Sequence, residues 1–104
     1  MAVYFTNTVR VKSGHMQEAL ALAPKAVAAY EKLGVKFHGQ FQAVGGEANV
    51  LVYLVSLPDF ASWGDLLQKA AADADLQAIT KEQGEHNEGN VIQALAPLPN
   101  SSMQ

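Results

Sequence analysis

Residues 49–57 read NVLVYLVSL, and no other stretch limits the fold of this chain so strongly. Side chains of an extended strand alternate between two faces. Here both parities are apolar, so both faces of the strand need cover. A strand inside a sheet that is packed on two sides meets that need. Its neighbours fit. Residues 35–44 alternate, with Val35, Phe37, Phe41 and Ala43 against Lys36, His38, Gln40 and Gln42, and Gly45-Gly46 supplies a hairpin turn between the two segments. Residues 3–12, VYFTNTVRVK, alternate in the same way: Val3, Phe5, Val9 and Val11 share one parity, and Tyr4, Thr6, Thr8 and Arg10 share the other.

Between these strands lie helical patterns. In residues 15–33, Met16, Leu20, Ala23, Val27 and Tyr30 recur at three- and four-residue spacing, with Ser13 expected as N-cap and Gly34 as the stop. Pro24 removes a hydrogen bond from the middle of this helix, so a bend is expected near Leu20. Pro58-Asp59 opens a second helix through Phe60, Trp63, Leu66, Leu67 and Ala70, and Asp73 or Asp75 caps a further piece carrying Leu76 and Ile79. Gly84 and Gly89 bracket an expected polar turn, after which residues 91–96 form strand four and Pro97 and Pro99 end it. Residues 1–99 are expected to form a single domain, with residues 100–104 as a flexible tail.

The order is βαββαβ. This is the α+β, ferredoxin-like plan, a four-stranded antiparallel sheet with its helices on one face. The second face then lies open. Leu51, Tyr53 and Val55, together with Tyr4, are expected there, and a second copy of the chain is the simplest cover, giving a homodimer. Composition supports a partner chain, because 17 of the apolar residues are alanines and bury little surface each.

Charge and motifs exclude several classes of function. Seven Lys and Arg against ten Asp and Glu give a net charge of −3, and the basic residues are scattered, so nucleic acid is not an expected partner. There is no cysteine, which excludes disulfides, thiol nucleophiles and iron-sulfur clusters. No apolar run has membrane length and the opening residues carry no signal core, so a cytoplasmic protein that does not bind membranes is expected. Glycine-rich phosphate loops, the G-x-S-x-G elbow and H-E-x-x-H are all missing. His15, His38 and His86 lie far apart, so no metal site is expected, and His86 among Glu82, Glu85 and Glu88 reads as part of a solvated turn.

One residue breaks the pattern. Asn7 occupies the apolar parity between Phe5 and Val9, so its amide should face the helices. An unsatisfied buried amide costs about 1–3 kcal/mol, so it needs a partner. That partner is either a helix end or neighbouring backbone, or a ligand held between sheet and helices, with Trp63 and Phe37 or Phe41 as apolar walls. Trp63 has a plainer reading as core. His15, at the start of the first helix, is the histidine placed to reach the mouth of such a pocket.

Asn7 on the first strand, Lys12-Ser13-Gly14 before a long helix, Phe37-His38-Gly39-Gln40-Phe41, and Asp59-Phe60-Ala61-Ser62-Trp63 together resemble the dimeric α/β-barrel superfamily. Antibiotic-biosynthesis-type monooxygenases and their haem-degrading relatives carry an Asn on strand one and a Trp in an F-x-x-W segment, and Asn7 and Trp63 match these positions. The NIPSNAP-like branch shares the G-x-F pattern, seen here as Gly39-Gln40-Phe41 before Gly45-Gly46. The resemblance implies Asn7 and Trp63 as catalytic residues, Phe37, Phe41 and His15 around a substrate pocket, and a homodimer. Haem-degrading members ligate iron through a histidine a few turns beyond the tryptophan, and residues 64–84 contain none, so haem is not expected as a ligand. The resemblance therefore implies a monooxygenase that needs no cofactor and acts on a small aromatic or apolar organic molecule. The alternative is a non-catalytic ligand-binding or structural dimer. A pocket holding both Asn7 and Trp63 separates them.

Overall fold

The structure, a computed structural model, describes residues 2–103; Met1, which begins the expected domain, and Gln104, which ends the expected tail, lie outside the described residues. The elements follow as β1 (Val3–Val11), α1 (Met16–Lys32), β2 (Lys36–Gln42), β3 (Val50–Leu57), α2 (Ala61–Ala72), α3 (Ala74–His86) and β4 (Asn87–Leu95). The strands form one antiparallel sheet in the order β2-β3-β1-β4. This is the expected α+β, ferredoxin-like sheet, with the second helical region split in two.

The split falls at Asp73. Its extended backbone breaks the helix, and its side chain accepts a hydrogen bond from the Leu76 N–H at 3.0 Å, capping α3. Leu76, 1% exposed, is thereby fixed in the core. Asp73→Ala is expected to lower the unfolding free energy by about 1 kcal/mol, measured by urea denaturation. At α2 the same chemistry comes from Asp59, whose Oδ1 accepts from the Ser62 N–H at 2.9 Å and from its Oγ at 2.8 Å. These bonds, the side-chain one first, hold the Asp59 carboxyl below the usual carboxylate range.

Four local expectations change. His15, not Ser13, stands at the N-cap of α1 and makes no capping bond with its side chain, because Ser13-Gly14 forms the preceding turn with Gly14 at φ +85°. The helix runs unbroken through Pro24. The β2–β3 connection spans residues 43–49 rather than a two-residue turn. The expected polar turn at residues 84–89 does not form: α3 continues through Gly84 to His86, and β4 begins at the next residue. A β-bulge opposite Arg10 and Val11 absorbs Glu88.

The register decides which side chains face the helices. Phe5, Asn7 and Val9 pair with Val55, Tyr53 and Leu51. Directly opposed residues in an antiparallel pair point to the same face. Leu51, Tyr53 and Val55 therefore face the helices, not the open face where they were expected. The open face carries the other parity, Val52 and Leu54 with Thr6 and Thr8. Both parities of β3 are covered or half-buried, as its composition demands.

A second bulge explains Phe41. Phe37 pairs with Val55, but Gly39 pairs with Leu54 and Phe41 with Val52, so the extra residue, His38, reverses the parity of all that follows. Phe41 turns to the open face, 59% exposed. Its ring lies against Gly39, where an added Cβ would fall 2.6 Å from two ring carbons, so any larger residue there would push the exposed ring aside. His38 faces the same side, with Nε2 2.7 Å from Ser56 Oγ and its ring 5.3 Å from that of Tyr4.

Candidate functional site

Two apolar clusters tie the helices to the sheet. One gathers Phe5, Val35, Leu57 and Leu66, with Trp63, Tyr30 and Phe37 packed against it. The other gathers Val9, Val11, Ala19 and Leu51, with Met16 and Tyr53. Between them a cavity of about 540 Å³ remains open. Small side chains leave this space: Ala19, Ala23 and Ala26 of α1 line it where larger residues would fill it. A volume of this size accepts an organic molecule of several rings.

Asn7, Trp63 and Phe37 all line this cavity, while Phe41 and His15 do not. Phe41 was turned away by the His38 bulge. His15 lies at the open end of α1, with Nδ1 3.2 Å from Glu18 Oε2. Trp63 stacks on Phe5 with ring centroids 4.7 Å apart and planes inclined by 18°, forming an aromatic end wall.

Asn7 has a polar partner that strand parity did not reveal. Asn90, on the same face of β4, donates from Nδ2 to Asn7 Oδ1 at 2.9 Å. The Asn7 carbonyl is thereby occupied, and its own NH₂ makes no hydrogen bond among the described residues. The Asn7 amide thus presents a donor. Tyr53, directly opposite Asn7 on β3, also lines the cavity. Burial pushes the phenols of Tyr53 and Tyr30 above their ordinary values, so both remain O–H donors at neutral pH.

The largest departure from the sequence reading is His86. Placed at the end of α3, it is 5% exposed and lines the cavity. Its carbonyl accepts from the Lys12 N–H at 2.8 Å, which pins the helix end to β1. Beside it, Asn87 Oδ1 is buried without a hydrogen-bond partner. The signal for this helix was present: Leu76, Ile79, Gln83 and His86 recur at spacings of three, four and three, and Gly84 hid it by reading as a stop.

Among the described residues no helix is long and apolar enough to cross a membrane. No curated protein matches the chain. Solved structures do. A NIPSNAP family protein from Agrobacterium tumefaciens superposes with a TM-score of 0.89 at 21% identity, over 100% of both chains. An uncharacterized NIPSNAP domain protein from Burkholderia xenovorans gives 0.84 at 21% identity, over 97% of this chain and 98% of that one. A structure described as an antibiotic biosynthesis monooxygenase gives 0.68 at 12% identity, over 93% and 99%. At these identities the likeness establishes the fold. The NIPSNAP family model matches residues 4–101, nearly the whole sequence. On that match, over the ferredoxin-like sheet and its helices, the chain belongs to the NIPSNAP family.

Proposed function

We propose that this protein binds a small aromatic or largely apolar organic molecule between sheet and helices and oxygenates it without a cofactor. The observation that carries the reading is the cavity itself, open and walled by both Asn7 and Trp63. A weak carbon acid such as an anthrone gives up a proton to a solvent base on entering, and the resulting anion is delocalised onto the ring oxygen. The amide donor of Asn7 and the phenol of Tyr53 are suited to hold that oxyanion, and the aromatic wall excludes water. Dioxygen then accepts the electron pair as a C–O bond forms, the peroxide takes up a proton, and loss of water leaves a carbonyl. One dioxygen is consumed and one water released per substrate.

We infer also that the protein acts as a homodimer through the open sheet face. Val52 and Leu54 on the two-sided strand, Phe41 at one edge and Val91, 67% exposed, at the other give this face its apolar positions, with Thr6 and Thr8 of β1 set between them.

An oxygen electrode tests the chemistry. With purified protein and anthrone, oxygen uptake above the buffer rate is expected, with one anthraquinone formed per dioxygen and no loss of rate on adding a chelator. Uptake no faster than buffer across hydroquinones and anthrones would overturn oxygenation and leave the alternative, a ligand-binding dimer.

A further inference from the structure

The cavity is polar at one end and aromatic at the other, and that asymmetry specifies a shape of ligand. Trp63 stacks on Phe5. At the opposite end Asn90 pairs with Val9 and Asn87 with Val11, which places His86 and Asn87 beside the Val9–Val11 end of β1. Phe5 and Val9 are four residues apart, about 13 Å along a strand. His86 is nineteen-twentieths buried, lines the cavity, and its ring makes no hydrogen bond among the described residues. Buried polar groups are nearly always paired. Among the described residues only Asn87 Oδ1 is both fully buried and unpaired, so the ring nitrogens of the neighbouring His86 keep some accessible surface, and on a cavity wall that surface is where a ligand can bond.

We propose that His86 is the polar anchor of the cavity, binding the hydroxyl at the far end of an elongated phenol or aryl alcohol whose ring lies beside Trp63. A neutral imidazole has one nitrogen that accepts, and the phenol hydroxyl donates to it. An ether of the same outline cannot donate. The inference rests on the cavity being a binding site, as in the function proposed above, and not on oxygenation.

Trp63 is the only tryptophan, so its fluorescence reports on the aromatic end. Titration with 4-hydroxybiphenyl and 4-methoxybiphenyl is expected to show the phenol binding about tenfold more tightly, the difference one buried hydrogen bond makes. His86→Leu should reduce that preference to about twofold or less, and His86→Gln, which keeps an acceptor, should retain most of it. Equal binding of the two probes by the native chain, or an unchanged preference in His86→Leu, overturns the proposal. Failure of both probes to bind overturns it together with the ligand-binding reading. A clear phenol preference without oxygen uptake supports the anchor and removes only the oxygenase.

Discussion

Asn7→Leu and Asn90→Asp are each expected to lower anthrone oxygenation by about a hundredfold or more while leaving the fold in place. The first removes the amide donor proposed to meet the developing oxyanion. The second removes nothing from the cavity wall but reverses the donor. Asn90 Nδ2 now donates to Asn7 Oδ1 at 2.9 Å, which leaves the Asn7 NH₂ for a ligand. A carboxylate at position 90 can only accept. The Asn7 amide then turns its NH₂ toward that carboxylate and offers a carbonyl lone pair where negative charge develops. Asn90→Ala, which leaves Asn7 without a director, should cost only about tenfold, because the amide can still rotate to donate. Stability should change little in either Asn90 variant, since that side chain is exposed. Equal rates for Asn90→Asp and Asn90→Ala would show that Asn90 does not orient Asn7.

The helix side of the sheet was legible wherever parity ran unbroken. On β1, Phe5, Asn7 and Val9 face the helices as their alternation requires, and Trp63 meets them from α2 because its helix pattern is regular. Parity failed where a bulge intervened. The extra residue at His38 sends Phe41 to the open face, and a bulged residue is held by partners on the neighbouring strand, here Ser56 Oγ 2.7 Å from His38 Nε2, that alternation does not encode. β3 posed a different difficulty. Being apolar on both parities, it carries no internal mark of which set faces inward, and only its pairing with β1 decides for Tyr53. His86 was missed because Gly84 weakens a helix by about 1 kcal/mol, an amount that the anchoring of Leu76 and the tie from Lys12 to the His86 carbonyl offset.

Leu54→Asp is expected to hold the chain as a monomer where the proposed homodimer forms, raising the dissociation constant by about a thousandfold or more. Leu54 is half-buried on β3, one of the two central strands, where it opposes Thr6 on β1 and Gly39 on β2. In a dimer closed across the open face this position falls near the middle of the interface. A carboxylate there loses its water, and the cations of the open face lie toward the two ends of the sheet, where Arg10 pairs with Glu47 at 3.2 Å and Lys36 stands opposite Ser56. Leaving a charge buried and unpaired costs roughly 3–5 kcal/mol, and two-fold symmetry imposes the penalty twice. In the monomer the same carboxylate reaches water, so the fold survives and far-ultraviolet circular dichroism should be unchanged. Light scattering at micromolar concentration reads the outcome. Tyr53→Asp, one residue away on the opposite face, provides the control, because it alters the cavity and should leave association intact. A native chain that is monomeric at this concentration would overturn the homodimer, and a Leu54→Asp chain that remains dimeric while Tyr53→Asp dissociates would place the contact on some other surface.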